Sequence, residues 1–391
     1  MERNLFDTGH QDFRAMVRDF VTTEIQPHLP AWERAGAVDR SMYVKAGDLG
    51  LLGIDIDEEH GGGGVRDFRY NLVLIEELCS AGAAALTMNL SGFNDLVAPY
   101  LSALATQEQR RRWLPDLCAG ERVSAIAMTE PGAGSDLKAI RTTAVRDGDV
   151  YVVNGAKTFI SNGMLADFVI TVVSTDPSAG RAGISLLVLE SDMAGFERGR
   201  RLDKIGLHAQ DTAELSFTDV RVPAANLLGE EGRGFEYLMR NLPQERMSVA
   251  AAAVACMQRT LRNTVTYTRE RTAFGRTVAD FQANRFTLAE LATEVQVAQV
   301  FVDRCAAGLV AGQLSPEDAA MAKWWTTELQ QKVTTRCLQL HGGYGYMQEY
   351  DVARDFLDAR ASTLYAGTTE IMKEIIGRSL LSDGPRPGPA R

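Results

Sequence analysis

The stretch "AVRDGDVYVVNGAKTFI" (residues 144–160) lies near the middle of a chain of 391 residues and is typical of two β-strands joined by an Asp-Gly turn. Further short β-rich runs follow it: "DFVITVVST" (167–175), "GISLLVLE" (183–190) and "TAELSFTDVRV" (212–222). Many short strands at close spacing predict a central β domain, residues 121–230, built as a small barrel or sandwich. The pattern does not favour a parallel nucleotide-binding sheet.

Helical patterns occupy both sides of this β-rich zone. In the first part of the chain apolar residues such as Phe13 and Val17 recur at helical spacing, which predicts an N-terminal all-α domain over residues 1–120. Long amphipathic segments with short breaks predict a C-terminal four-helix bundle over residues 231–382. The last residues, 383–391, are rich in Pro and Gly, and we expect them to be disordered. The sequence therefore predicts a mainly α protein with a central β domain.

The composition argues against several classes of function. A net charge of −10 does not favour nucleic acid as a partner, because no basic excess exists to neutralise phosphates. No apolar run has the length of a membrane span, and the N-terminus is of mixed charge, so we expect a cytoplasmic location. Five scattered cysteines fit a reducing compartment. Cys337 and His341 lie four residues apart, but with no third ligand nearby we predict no metal site.

Two stretches of the β-rich zone carry residues suited to ligand binding. In "AMTEPGAGSDL" (127–137) small residues let backbone N–H groups approach an anion or a flat ring, and the hydroxyl groups of Thr129 and Ser135 add donors. In "KTFISNG", Phe159 and Ser161 lie two apart on a predicted strand and so share one face. Taken singly, the first stretch would be a tight turn and Phe159 a core residue.

Two more stretches of this kind lie in the helical C-terminal part. "RTAFG" (271–275) is paired with "LQLHGGYG" (338–345), and an Arg beside adjacent glycines suits a pyrophosphate. In "STLYAGTTEIMKE" (362–374) a Gly-Thr-Thr turn opens an apolar helix, whose first N–H groups are free to hold a ligand. The residue in that turn, Ala366, has no side chain that could transfer a proton. All these stretches in one chain favour a bound cofactor over separate structural roles.

These stretches resemble the acyl-CoA dehydrogenase family of flavoenzymes. The motifs "MTEPGAGSD", "FISNG", "RTAFG", "LHGGYGY" and "YAGTTEI" occur in the family's order and spacing, over about residues 6–381. The resemblance implies an N-terminal helical domain, a middle β domain and a C-terminal four-helix bundle, with FAD bound between domains and usually a homotetramer. It also implies oxidation of acyl-CoA to a trans-2-enoyl thioester, with electrons passing to an electron-transfer flavoprotein.

The resemblance also implies which residues contact the ligands. The FAD contacts lie in the β domain and the bundle: Thr129, Gly134, Ser135, Phe159, Ser161, Arg271, Phe274, Gln282, Gln339, Gly342, Gly343, Thr368 and Glu370. Five of them would reach the FAD of a neighbouring subunit: Arg271, Phe274, Gln339, Gly342 and Gly343. Phe159 takes the place where many relatives have Trp, against the isoalloxazine ring. The thioester substrate would contact three residues: Ser135, Arg246 and Gly367.

One departure from the family pattern concerns the catalytic base. Most members carry Glu at the position of Ala366, where it removes the α-proton of the thioester, so an inactive relative is one interpretation. The stretch "RNLPQERMSVAAAAVAC" (240–256) offers another, because Glu245 follows Pro243 and precedes a run of Ala and Val that must be largely buried. A Glu near a helix start is commonly only a dipole contact. Desolvation, however, raises a carboxyl pKa by up to about 3–5 units, into the range of a general base.

Two branches of the family resemble this chain in having the base relocated in this way. The long-chain branch is the more similar and the isovaleryl branch the next, and in both the Glu is followed by an Arg, here Arg246. We therefore predict an active enzyme in which Glu245 removes the α-proton while the β-carbon gives a hydride to flavin N5. The resemblance also implies that a ribityl hydroxyl of FAD and the backbone N–H of Ala366 polarise the thioester carbonyl; this N–H survives the loss of a Glu side chain.

The predicted activity is the FAD-dependent dehydrogenation of medium- or long-chain or branched acyl-CoA in fatty acid β-oxidation. Three alternatives remain open at this point. The chain could act on acyl groups held by a carrier protein in a biosynthetic pathway. It could be a flavin oxidase or monooxygenase on the same fold, or a non-catalytic binding partner.

Overall fold

The computed structural model describes residues 3–381, so the tail expected to be disordered, residues 383–391, lies outside the described part. The N-terminal part is helical, with helices α1 Thr8–Phe20, α2 Leu29–Ala35, α3 Ser41–Asp48, α4 Phe68–Ser80, α5 Thr87–Gly92, α6 Ala98–Leu104 and α7 Gln107–Cys118. Asp7 caps the N-terminus of α1: its carboxylate accepts a hydrogen bond from the backbone N–H of His10 across 3.2 Å. The same kind of N-cap at Thr106 begins α7.

The middle part is one eight-stranded sheet. Its strands are β1 Ser124–Ala127, β2 Thr143–Asp147, β3 Val150–Ser161, β4 Phe168–Ser174, β5 Ile184–Glu190, β6 Phe196–Arg201, β7 Thr212–Pro223 and β8 Leu227–Leu228. They follow the order β6-β7-β3-β2-β4-β5-β8, and β1 pairs with β4. Only the β1–β4 and β2–β4 pairings are parallel among the described strands, so the sheet is not of the parallel nucleotide-binding type.

Strands β4 and β5 are buried on both faces. Alternate side chains such as Ile170 and Leu186 pack into the core formed with the N-terminal helices. Their neighbours, such as Val169 and Leu187, pack into a second core inside the β domain. Because successive side chains of a strand point to opposite faces, these two strands join the helical and β parts through one shared layer.

The C-terminal part is helical again. It comprises α8 Gly234–Glu270, α9 Gln282–Val310, α10 Pro316–His341, the short α11 Asp351–Ala359 and α12 Thr369–Leu381. A hairpin of two very short strands, β9 Thr272–Ala273 and β10 Arg276–Thr277, connects α8 to α9. Leu72 and Ile75 of α4 pack with Met247 and Val254 of α8, so the bundle core includes an N-terminal helix. None of the helices described in residues 3–381 has the length and apolarity needed to cross a membrane.

The predicted fold class is confirmed, and the limits of the three domains stay a prediction. Two local expectations are wrong. Helix α8 continues through Pro243, so Glu245 lies inside the helix and not near its start; a proline removes only one helical N–H donor, and the packing of a long helix can offset that loss. We expected Phe159 and Ser161 to share one face of β3 because side chains alternate along a regular strand. A bulge between Lys157 and Ile160 interrupts this alternation.

Strand β6 is present in the structure, although no sequence pattern predicts it. Apart from Phe196, its residues are exposed, and three of them are arginines. Such an edge strand lacks the apolar alternation by which a half-buried strand is recognised.

Candidate active site

Glu245 is almost fully buried inside α8, with 4% of its surface exposed. Tyr100 of α6 donates a hydrogen bond to Glu245 Oε1 across 3.2 Å. Burial raises the pKa of Glu245 to about 8; Asp95 adds to the rise, while the Tyr100 hydrogen bond and the charge of Arg246 oppose it. A carboxyl group with a pKa in this range can accept and hold a proton near neutral pH, as a general base must.

Asp95, between α5 and α6, is a second buried carboxyl group beside the base. It accepts hydrogen bonds from the hydroxyl of Ser91 across 3.0 Å, from Nε2 of Gln244 across 3.4 Å and from the hydroxyl of Ser248. Burial raises the pKa of Asp95 to about 6. Because Gln244 and Ser248 lie on the same stretch of α8 as Glu245, these hydrogen bonds hold that stretch against the N-terminal helices.

Two buried cations, Arg246 of α8 and Lys323 of α10, lie near the turn before α12. Lys323 of α10 is fully buried, and its Nζ donates a hydrogen bond to the carbonyl oxygen of Gly367 across 2.7 Å. Burial lowers the pKa of Lys323 to about 8, and the neighbouring charge of Arg246 lowers it further. Arg246 is 6% exposed, and its Nε has no hydrogen-bond partner within residues 3–381. The charge of Arg246, next to Glu245 on α8, thus acts on the ammonium group that holds the turn at Gly367.

The turn itself has a strained backbone. Ala366 has a φ of 54° and Gly367 a φ of 92°, a left-handed conformation that costs a non-glycine residue about 1–3 kcal/mol. Within the described residues, the backbone N–H of Ala366 has no hydrogen-bond acceptor. The hydroxyl of Thr368 accepts from the backbone N–H of Ile371 across 3.3 Å at the start of α12. Glu370 is exposed in the first turn, where hydrogen bonds from its own backbone and from Thr368 lower its pKa.

A buried ion pair joins the loop after β1 to strand β3. Lys157 is fully buried, and its Nζ donates to Glu130 Oε1 across 2.8 Å and to the carbonyl oxygen of Met128 across 3.0 Å. The backbone N–H of Thr158 donates to the carbonyl oxygen of Thr129 across 2.9 Å. These contacts fix two predicted cofactor-binding stretches against each other, although they lie far apart in the sequence.

The predicted cofactor residues of this region present open surfaces. An added Cβ at Gly134 would meet only the methyl group of Thr129, at 3.9 Å, and Ser135 is exposed. Phe159 has a φ of 60° and leaves 67% of its surface exposed, which is unusual for a large apolar side chain. Ser161 is half-buried two residues further on. A strained, exposed aromatic residue next to an open glycine loop is suited to binding a flat ring.

The predicted residues at the other end of α8 form a second open surface. The guanidinium of Arg271 lies 5.2 Å from the ring centre of Tyr344. Phe274, at the tip of the β9–β10 hairpin, has a φ of 53° and is 95% exposed. A Cβ added at Gly342 or Gly343 would meet no atom within 4 Å. The remaining predicted contacts here are also exposed: Gln282 and Gln339.

Within one chain, helix α8 separates Glu245 from the open surface around Arg271. It runs without interruption from Glu245 to its end at Glu270, next to Arg271. At 1.5 Å per residue this length is about 38 Å. Glu245 and Arg246 are neighbours on α8, and the charge of Arg246 acts on the Lys323 that holds Gly367, whereas Arg271 lies at the far end of the helix. A separation of this size is what the resemblance requires if Arg271 and its neighbours serve the cofactor of another subunit.

Several residues of the site were not predicted from the sequence: Asp95, Tyr100, Glu130, Lys157 and Lys323. A signal existed for two of them, because Glu130 and Lys157 are charged residues inside otherwise small or apolar motifs. The other three contact the site from distant positions in the chain, and no local pattern marks them.

Comparisons with known proteins cover nearly the whole chain. Models of the acyl-CoA dehydrogenase N-terminal, middle and C-terminal domains match residues 7–121, 125–220 and 232–381. The long-chain specific acyl-CoA dehydrogenase, mitochondrial, of Sus scrofa is 47% identical over 383 residues, which cover 97% of this chain and 88% of that protein. A short-chain specific acyl-CoA dehydrogenase of Megasphaera elsdenii is 35% identical over 384 residues, 97% of this chain and 100% of that protein.

The fold agrees equally well with a solved structure. The crystal structure of an acyl-CoA dehydrogenase from Geobacillus kaustophilus superimposes with a TM-score of 0.95 at 48% sequence identity. The match covers 97% of this chain and 100% of that chain.

Proposed function

This chain belongs to the acyl-CoA dehydrogenase family, and on that premise we propose that Glu245 is the base that removes the α-proton of its acyl-CoA substrate. The enzyme is an oxidoreductase with FAD as its cofactor. The observation that carries the proposal is the environment of Glu245: a carboxyl group buried inside α8 that accepts a hydrogen bond from Tyr100 and has a pKa of about 8.

The open surfaces of the chain fit FAD. A flat ring could lie against the exposed ring of Phe159, beside the unobstructed backbone at Gly134. Charged phosphates suit the Arg271 guanidinium and the open glycines at Gly342 and Gly343. The residues that would hold the cofactor are those named from the sequence: Thr129, Gly134, Ser135, Phe159, Ser161, Thr368 and Glu370 in one subunit, with Arg271, Phe274, Gln339, Gly342 and Gly343 of another. Gln282 would also lie near the cofactor. When bound, FAD supplies the acceptor for the hydride of the β-carbon.

The residues of the chain have two tasks in this reaction. Glu245 takes the α-proton, and burial makes its carboxylate a stronger base than it would be in water. The backbone N–H of Ala366, which has no acceptor within the described residues, donates to the thioester oxygen as negative charge develops there. Lys323 holds the turn in place through Gly367, and Arg246 contributes a positive charge beside the thioester.

The acyl chain that we propose is medium or long, or branched. The similarity to a long-chain specific enzyme supports this range, and the similarity to a short-chain specific enzyme shows that the family alone does not fix it. We expect that anaerobic titration of the FAD-loaded enzyme with a series of acyl-CoA thioesters bleaches the flavin absorbance most completely with medium, long or branched chains.

The same titration separates the alternatives. Bleaching only by carrier-bound thioesters would select the biosynthetic alternative, and rapid reoxidation of the bleached enzyme by oxygen would select an oxidase. No bleaching with any thioester would contradict the proposed function and favour a non-catalytic binding partner.

Arg271 offers a test of the proposed cofactor contact between subunits. Arg271→Ala removes charge-assisted hydrogen bonds to the FAD phosphates, and we expect FAD affinity to fall roughly tenfold to a hundredfold. Flavin fluorescence during dilution of the loaded enzyme measures this affinity. Arg269→Ala, which removes another exposed arginine two residues earlier, is the matched control and should leave the affinity unchanged. Equal affinities for both variants would rule out this role of Arg271.

We also propose that the enzyme is a homotetramer of the cytoplasm that delivers its electrons to an electron-transfer flavoprotein. Exposed apolar side chains support an assembly: Phe286, Val297 and Val300 along α9, and Phe274 and Tyr346 near the second cofactor surface. Sedimentation of the loaded enzyme at several concentrations tests the oligomeric state.

A further inference from the structure

Tyr100 stands out among the groups around the proposed base. It is 1% exposed, and its phenol donates to Glu245 Oε1 across 3.2 Å. Two other buried tyrosines have neutral partners: Tyr43 contacts the side chains of Asn89 and Asn162, and Tyr237 accepts from a backbone N–H. The buried Tyr151 donates to a carboxylate across 2.8 Å, but that carboxylate belongs to the exposed Glu231. Among the buried tyrosines of residues 3–381, Tyr100 differs in that its phenol donates to a carboxyl group that is itself buried.

The charged groups around Glu245 come from several elements. Asp95 lies on the N-terminal side and is negative when ionised, which opposes ionisation of the base. Arg246 of α8 favours ionisation, and Arg240 lies one turn or more earlier on the same helix, near the phenol of Tyr100. Lys323 of α10 is close enough to Arg246 for the charge of Arg246 to lower its pKa. Among these neighbours, Tyr100 is the one with a hydrogen bond to the Glu245 carboxylate.

We propose that Tyr100 is the positioning residue of the base: its phenol occupies Oε1 of Glu245 and leaves Oε2 free to take the α-proton. This inference rests on the proposed role of Glu245. A carboxylate that is held by one oxygen has a fixed plane, so the free oxygen points in one direction. The hydrogen bond also favours the ionised carboxylate over the protonated acid, because the phenol donates to a negative oxygen.

The position of Tyr100 supports this role. Helix α6 belongs to the N-terminal part, and α8 to the bundle, so the hydrogen bond spans the two parts that enclose the base. Burial of the phenol raises the pKa of Tyr100, and the neighbouring Glu245 raises it further, so the phenol keeps its proton and remains a donor over the working pH range. The inference does not depend on any contact with FAD.

The test is the pH profile of kcat/KM for Tyr100→Phe. Removal of the hydroxyl leaves the ring in the core and takes one stabilising contact from the ionised base. The acid limb of the profile should move up by about one pH unit, which gives about a tenfold loss of kcat/KM below the limb and a much smaller loss above it. Tyr237→Phe removes another buried phenol from a position away from Glu245, and its profile should match the wild type.

Further variants keep the test decisive. Fluorotyrosine at position 100 preserves the shape and makes the phenol a stronger donor, so the acid limb should move to lower pH. If Tyr100→Phe leaves the limb in place, or lowers kcat/KM equally at every pH, or if fluorotyrosine causes no shift, the positioning role is wrong. Glu245→Gln, measured alongside, separates the two claims: full activity of that variant would overturn the proposed function itself, whereas an inactive Glu245→Gln with an unshifted Tyr100→Phe would overturn only this inference.

Discussion

Glu245→Gln is expected to lose enoyl-CoA formation by about a hundredfold to ten-thousandfold, the usual contribution of a positioned general base. Glutamine has the same shape as glutamate, and its amide oxygen can still accept the hydrogen bond from Tyr100. It cannot take the α-proton. A steady-state assay of product formation measures the loss of activity, and the ratio of flavin to protein shows whether the variant still binds FAD.

The ratio of flavin to protein should stay at the wild-type value. The residues proposed to hold FAD lie in the loop after β1, on β3, at the start of α12, beyond the far end of α8, at the start of α9 and around the end of α10, and Glu245 is not among them. Glu236→Gln is the matched control, because Glu236 lies on the same helix but is exposed and pairs with Arg233. It should keep full activity. A fully active Glu245→Gln would show that another group removes the proton.

Glu130→Gln is expected to destabilise the protein by about 3–5 kcal/mol, because it leaves the fully buried ammonium of Lys157 without a counter-charge. Urea denaturation followed by tryptophan fluorescence measures the change in the free energy of unfolding. The double variant Glu130→Gln with Lys157→Met should recover most of the loss, since it removes the uncompensated charge as well.

The loss of unfolding free energy in Glu130→Gln, relative to the wild type, should depend on pH. In the wild type, burial lowers the pKa of Lys157 to about 8, and Glu130 opposes this fall; without Glu130 the pKa falls further. The unfolded chain then binds more protons than the folded one, so the stability of the variant rises with pH. The stability difference between the wild type and Glu130→Gln is therefore largest well below pH 8. It is smaller above pH 8, where Lys157 is neutral in the folded state of both the wild type and the variant.

An exposed ion pair of the same sheet provides the control for this prediction. Arg221 and Asp147 form a salt bridge with side chains 60% and 62% exposed, and Arg221→Ala should cost about 1 kcal/mol or less. Because the Glu130–Lys157 pair also fixes the loop of Thr129 against β3, Glu130→Gln should weaken FAD retention, and the control should not. An equal, small effect of both substitutions would contradict the structural role of the buried pair.

The sequence predicts the architecture well because its signals are local. The Asp-Gly turn between β2 and β3, the apolar runs of β4 and β5, and the glycine breaks between the bundle helices each follow from a few neighbouring residues. Where the local signal was weak or ambiguous the prediction failed. Pro243 suggested a helix boundary, but α8 continues through it, and the bulge before Ile160 gives Phe159 a conformation that no alternation pattern predicts.

The site was predictable only in part, for a physical reason. Ala366 could be singled out because it departs from the family pattern, and Glu245 because it follows Pro243 and precedes an apolar run. Their environment depends on contacts between distant residues: Tyr100 meets Glu245, and Lys323 meets Gly367, through folding alone. Burial, which sets the pKa of Glu245, is a property of the packed structure and leaves only a faint trace in the neighbouring Ala-rich sequence.

Single-turnover reduction of the flavin tests the assignment of Glu245 most directly, because it requires no electron acceptor and reports the chemical step alone. The FAD-loaded enzyme and its Glu245→Gln variant are mixed anaerobically with the acyl-CoA that bleaches the wild type best, and flavin absorbance is followed in a stopped-flow instrument. We predict rapid bleaching of the wild type and bleaching slowed by at least about a hundredfold in the variant, although it holds the same amount of flavin. Bleaching of the variant at the wild-type rate would contradict the role of Glu245 as the base.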